Sequence, residues 1–168
     1  MIRENQEPLA SQIQSYWVDL KFKFPGVGEA WSAVFISWCV KQAGATGAQF
    51  IFAPSHSQFV QAAIKNERQS VGVFHGHDVT TYAPKLGDIL QNNRAGNHFD
   101  FQYASTHGQY KSHSAIVIEV GSDNRGRYLR TIGGNEDNSV GMKEARLDAK
   151  GFVKNADGLY ISIVETLL

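Results

Sequence analysis

Three side chains have the types and chain order of an acyl-transfer set: Ser32, His113 and Asn135. Ser32 lies in "GEAWSAVFISWCVKQAG", where breakers give way to an apolar helical run. A hydroxyl in the first turn of a helix meets the positive end of the macrodipole, which stabilises a developing anion. The same serine could instead cap the helix or bond to its backbone. His113 opens "HSAIVIEV", so its imidazole stands at the start of a strand, where it could face a cleft or sit on the surface. Asn135 follows "TIGG". An amide at a strand end can accept from an imidazole N–H, the orienting role in a nucleophile–base–orienter set, although Gly-Gly-Asn also suits a turn.

A different chemistry would use carboxylates. Glu29, just before the helix, with Glu136 or Asp137 could form the acid pair of a glycosidase; otherwise Glu29 is an anion favoured by the helix dipole. His75 and His77 in "HGH" could place two imidazoles on one side of a strand, with His98 and His107 further on, for a zinc site, but the spacing matches no specific motif, and the leading expectation is neither metal nor cofactor. His56 in "PSHSQF" falls at a helix start and could line the same cleft as Ser32. The one cysteine, Cys39, excludes an internal disulfide. It sits two turns beyond Ser32 among Phe35, Ile36 and Val40, where a buried thiol is inert.

These side chains need elements to hold them. The spacing of Leu9, Ile13, Tyr16, Trp17 and Leu20 predicts an amphipathic helix over 7–20. Pro25, Gly26 and Gly28 break it, and Ser32, Phe35, Ile36 and Cys39 form the inward stripe of a second helix that stops at Gly44. A third helix should be capped by Ser55, with Phe59, Val60, Ala63 and Ile64 inward. Beyond about residue 70 the period becomes strand-like: Val71 to Phe74, "GDILQ", "HSAIVIEV", "GRYLRTIGG" and "LYISIVETL", with a hairpin turn in Gly121 to Gly126. Helices first and strands second predict an α+β fold, N-terminal helices packed on a mainly antiparallel sheet. Asn92 to Ser112 reads as one long loop, a length often tied to binding. Its Phe99, Phe101, Tyr103 and Tyr110 could stack on a ligand or staple the loop, and Arg94 could hold a carboxylate.

The totals narrow the function. A chain of 168 residues, 42% apolar and 19% charged, fits a single globular domain over 1–168. With zero net charge it lacks the basic footprint of a nucleic-acid or anionic-lipid binder. No run approaches the ~18 apolar residues of a membrane span. The N-terminus lacks the apolar core of a Sec signal peptide, so a protein of this kind working outside the cytoplasm is expected to be exported by other means or to be excised from a longer chain.

Four stretches, in order, carry a family resemblance. "EAWSAVFISWCVKQAG" resembles the nucleophile helix of CHAP-like and NlpC-like cell-wall hydrolases, papain-like enzymes that use a cysteine. "PKLGDIL" resembles their Pro-x-x-Gly-Asp strand, "SHSAIVIEV" their histidine strand, and "TIGGNEDNSV" the turn after it. The match runs from Gly28 to Val140. It implies a papain-like α+β fold, peptidoglycan as substrate, Ser32 at the nucleophile position, His113 at the base and Asn135 at the orienter. Trp31, His56, Arg94, Tyr103 and Glu136 are the expected substrate contacts. The departure is Ser32, which stands where the family has cysteine. A native serine nucleophile, a replaced cysteine, or chemistry moved to other groups would each account for it. The leading expectation is hydrolysis of an amide in the stem peptide or the muramyl-peptide linkage. The alternatives are a lysozyme-like glycosidase using Glu29 with a second carboxylate, and a non-catalytic wall-binding module. Such a protein would act in the periplasm or at the cell wall, as a phage lysin or as an antibacterial effector delivered by a secretion machine, and an effector would have an immunity protein as partner.

Overall fold

A computed structural model describes residues 1–168 and shows four helices and one six-stranded sheet. The helices are α1 (Leu9–Asp19), α2 (Ser32–Gln42), α3 (His56–Gln69) and the short α4 (Phe101–Thr106). The strands are β1 (Phe74–Asp78), β2 (Ile89–Asn93), β3 (Ser112–Asp123), β4 (Gly126–Glu136), β5 (Ser139–Arg146) and β6 (Tyr160–Thr166). They lie in the order β1-β6-β2-β3-β4-β5, and every neighbouring pair is antiparallel. The fold is therefore α+β.

The first three helices follow from their apolar stripes. Ile13, Tyr16 and Trp17 of α1 are buried, as are Phe59, Val60, Ala63 and Ile64 of α3. Together with Trp31, Val34 and Ile36 at α2 they join Ile89, Ile161 and Val164 from one face of the sheet in the main core. Each large apolar side chain buried there contributes about 1.5–3 kcal/mol by leaving water. Alternation along the strands sends Leu90, Val117, Leu129 and Ile163 to the other face, where Leu147 and Val153 cover them in a smaller core. A bulge between β2 and β6 at Gln91/Asn92 shifts that alternation, so Ile161 reaches the main core although Ile163 faces away from it.

Glycine sets two close approaches. A Cβ on Gly76 would lie 2.7 Å from the Ile64 backbone nitrogen, so α3 packs directly on β1 only because that position has no side chain. A Cβ on Gly134 would meet Phe35 at 2.6 Å and Trp31 at 2.8 Å, which fixes how tightly β4 closes on α2. "HGH" thus encodes a helix–strand contact.

Several expectations need correction. Ser55 precedes α3 but makes no cap bond; its hydroxyl bonds to Ser57 Oγ at 2.9 Å. The first strand begins at Phe74, because Val71 and Gly72 lie outside it and are exposed. Asn92 to Ser112 is not one loop: it contains α4, capped by Asp100, whose carboxylate accepts from Tyr103 N at 2.8 Å. "GGN" is not a turn, since β4 continues through it to Glu136 and the chain reverses at Asp137 and Asn138, both with positive φ. The strand β5 then follows, unforeseen because its middle residues "MKE" are exposed and show no inward period.

Candidate functional site

The first turns of α2 and α3 open onto a cleft of about 380 Å³, closed on the far side by Arg94, Tyr110, Lys111 and Ser112. Ser32 and His56 are the first residues of their helices, and both are buried at the cleft wall. Ser32 Oγ lies 2.7 Å from His56 Nε2. Burial, then the nearby charges of His113 and Arg94, hold the His56 imidazole well below its ordinary pKa, so the ring is neutral near pH 7. With its proton on Nδ1, a neutral ring accepts from the Ser32 hydroxyl, the geometry of a serine facing a general base. His56 Nδ1 has no partner in the protein.

His113, expected as the base, is buried at the start of β3 and does not hydrogen-bond Ser32; its ring centroid is 5.3 Å from that of His56. Behind it, Glu136 Oε1 lies 2.7 Å from Nε2, off the line of a good hydrogen bond, and Nδ1 is unpartnered. Lys143 of β5 contacts the other carboxylate oxygen. Burial pushes the Glu136 carboxyl up, but the contacts from His113 and Lys143 outweigh it and hold the pKa down to about 2. Glu136 is a fixed anion at neutral pH. Ser32, His56, His113 and Glu136 form a file from the cleft into the sheet.

The remaining expected residues fall elsewhere. Asn135, expected to orient His113, is half-buried at φ 55° with no side-chain hydrogen bond, and its neighbour Glu136 takes that place. A register shift between Gly133 and Glu136 turns the carboxylate inward, and the bare Gly133, whose Cβ would lie 3.0 Å from His113 Nε2, leaves room for the imidazole. Glu136 is therefore a partner of His113 and does not line the cleft at Ser32. Glu29 is exposed, outside the cleft lining, and makes no ion pair or side-chain hydrogen bond. Trp31 is not a substrate surface either: it is fully buried in the core, with Nε1 donating to Glu4 Oε2 at 2.9 Å. Tyr103 has both faces covered, by Phe99 at 4.0 Å and His107 at 3.8 Å, so its stack staples the segment. Arg94 does line the cleft, and Cys39 packs against the core as expected.

One contributor, Gln91, was missed. Gln91 is fully buried; its Nε2 donates to Tyr110 Oη and Ser112 Oγ, both at 2.9 Å, and its Oε1 accepts from Ser162 at 2.8 Å, so it holds two cleft residues in place. An amide at an inward strand position, two after Ile89, was the available signal. His56, expected to line the cleft as a substrate contact, does line it, but as the partner of Ser32 Oγ; it lies on the buried stripe of α3 with Phe59, Val60 and Ala63, at i, i+3, i+4 and i+7.

His75 and His77 are occupied by carboxylates: His75 Nδ1 is 2.9 Å from Glu67, and His77 Nε2 is 2.9 Å from Glu165. No group of three or more histidine, cysteine, aspartate or glutamate side chains is arranged to hold a metal ion. No helix is long and apolar enough to cross a membrane. Comparison with curated proteins and with solved structures finds no match. A family model does match residues 8–163, nearly the whole chain, and the protein therefore belongs to the family described as an uncharacterized protein conserved in bacteria, DUF2272.

Proposed function

We propose that this protein is a papain-like hydrolase with a serine nucleophile, and that it cleaves an amide bond of peptidoglycan, in the stem peptide or at the muramyl-peptide linkage. One observation carries the chemistry: Ser32 Oγ, at the N-terminus of α2, lies 2.7 Å from a buried, neutral His56. In the reaction Ser32 Oγ attacks the substrate carbonyl as its proton passes to His56 Nε2. The free N–H groups of the first turn of α2 receive the oxyanion. His56 returns the proton to the leaving nitrogen as the C–N bond breaks, leaving an acyl-serine and a free amine. Water, deprotonated by the same imidazole, then attacks the ester and regenerates Ser32 with release of a carboxylic acid. The Glu136 anion, one imidazole away, balances the positive charge that His56 gains in each step.

The substrate class rests on the resemblance of four ordered motifs to papain-like wall hydrolases; the helix-borne nucleophile fits that plan, whereas the base departs from it, since His56 of α3 and not the strand histidine His113 faces Ser32. A serine needs a well-aligned base more than a thiol does, and the close pairing with His56 supplies one. The expected setting is the cell wall or periplasm, with an immunity protein as partner if the protein serves as an effector.

The test is mass spectrometry of the soluble products of purified peptidoglycan incubated with the protein and with Ser32→Ala, Ser32→Cys and Glu29→Gln. New free amines or released peptides that vanish with Ser32→Ala support the proposal. New reducing ends lost only with Glu29→Gln would replace it with a glycosidase, and binding without any product would replace it with a wall-binding module.

A further inference from the structure

We propose that the cleft selects substrates carrying a carboxylate beside the scissile carbonyl, and that Arg94 and Lys111 are the residues that hold it. The proposal rests on the hydrolase reading only in placing the scissile carbonyl at Ser32.

The two cations are brought together by the sheet. Asn93 of β2 faces Ser112 of β3 in the last rung of their ladder, so Arg94, just after β2, and Lys111, just before β3, leave the sheet side by side at the same end. Asn97 ties them further: its N–H donates to Arg94 O at 3.2 Å and its Nδ2 donates to Lys111 O at 3.1 Å. Asn93 locks the turn from behind, its Nδ2 donating to Phe99 O at 2.8 Å and Gly158 O at 3.0 Å. A pre-formed backbone thus presents both side chains.

Neither cation has a carboxylate within ion-pair distance, whereas Lys85, Lys143 and Arg146 do. No aspartate or glutamate lines the cleft at all. Like charges gathered at one concave surface repel, and their cluster is destabilising until an anion arrives. In a chain of zero net charge, a cleft with two cations, no anion and the positive end of α2 in its wall is a local excess that favours a negative ligand. The guanidinium fork of Arg94 suits the two oxygens of a carboxylate, and Lys111 adds a second charge to the same group. The arrangement favours peptides with a free α-carboxylate or an acidic side chain next to the bond that is cut.

The experiment measures binding to Ser32→Ala, which cannot turn substrate over, using N-acetyl-Ala-Glu and its neutral counterpart N-acetyl-Ala-Gln-amide in titration calorimetry. The acidic peptide is expected to bind about tenfold more tightly at low salt, with the gap closing as ionic strength rises. Adding Arg94→Gln and Lys111→Gln should abolish the difference, and Arg94→Glu should reverse it. Circular dichroism checks that the variants, changed only at exposed positions, remain folded. Equal affinity for the two peptides, including no detectable binding of either, overturns the proposal. Wild-type turnover of the same peptides separates the two readings: hydrolysis without carboxylate preference rejects the anion site and keeps the serine hydrolase, while carboxylate-selective binding without hydrolysis does the reverse.

Discussion

Four of the six histidines form two pairs, and the pairs have opposite surroundings. His75 and His77, on β1, are half-buried at the surface and paired to Glu67 and Glu165 at 2.9 Å each. His77 also stacks on Tyr82 at 4.3 Å, and His75 Nε2 reaches the Val71 carbonyl at 3.0 Å. His56 and His113 are buried, 5.3 Å apart, and each keeps a ring nitrogen with no protein partner. A half-buried imidazole with its partners in place serves the packing of a sheet edge. A buried, unsatisfied one costs about 1–3 kcal/mol, a cost the fold retains where a hydroxyl and a carboxylate converge on the same file. Under the proposed hydrolase reading, the contrast points to the second pair as the one that takes part in the reaction.

The sharpest way to break the contrast is to remove one histidine from each pair. His56→Ala is expected to lower kcat/KM by about 10³-fold on any substrate that the protein turns over, with the fold intact by circular dichroism. Equal losses from His56→Ala and His75→Ala would erase the distinction. Glu136→Gln should cost about 10²-fold, since the charge behind His113 is lost while the shape is kept, and Glu136→Asp should recover part of it. Wild-type activity with Glu136→Gln would reduce that carboxylate to a structural role.

Between the pairs lies a packing test. Gly76→Ala should destabilise the protein by about 1–3 kcal/mol in chemical unfolding, because its Cβ collides with the Ile64 backbone, without the kinetic defect of His56→Ala.

The pH dependence sharpens the comparison further. His56 is held below its usual 6.5, so the acid limb of kcat/KM should have its midpoint below pH 6.5. The same depression bears on stability. Below pH 6.5 the unfolded chain binds a proton that the folded His56 refuses, so stability falls as pH drops from that point. Glu136, held down to about 2 against 4.5, adds stability that is present above pH 4.5 and is lost as pH falls toward 2. Thermal unfolding of wild type and His56→Gln across this range checks both, and a stability that rises on acidification between pH 6.5 and 5 would contradict the assignment. The smallest effect belongs to His77→Ala, at about 0.2–1 kcal/mol of stability for a partly exposed ion pair and less than about twofold in rate. A tenfold rate loss there would mean that β1 communicates with the cleft.

Much of this was legible in the residues. The apolar periods of α1, α2 and α3 set their buried faces because each stripe is continuous, and the order of helices before strands predicted the α+β plan. Ser32 was legible as the odd hydroxyl on such a stripe. The partners were harder to read. His56 hides in the first turn of a third helix, and nothing local says that this turn abuts that of α2. Asn135 is the orienter that the strand-end amide and the resemblance suggest; Glu136 takes the place because a register shift after Gly133, invisible in the sequence, sends its carboxylate inward. Tyr103 and Trp31 looked like exposed aromatics until packing covered them, Tyr103 by two stacked rings and Trp31 by the core. Pairing of β5 is equally non-local, since its exposed residues carry no inward pattern.

The most direct test of the central claim is whether Ser32 is an activated nucleophile. Treatment with a fluorophosphonate, followed by intact-mass and peptide-mapping mass spectrometry, is expected to show one phosphonyl adduct on Ser32, absent from Ser32→Ala and strongly slowed in His56→Ala. A folded protein that takes no adduct, or takes it on another residue, would contradict the account.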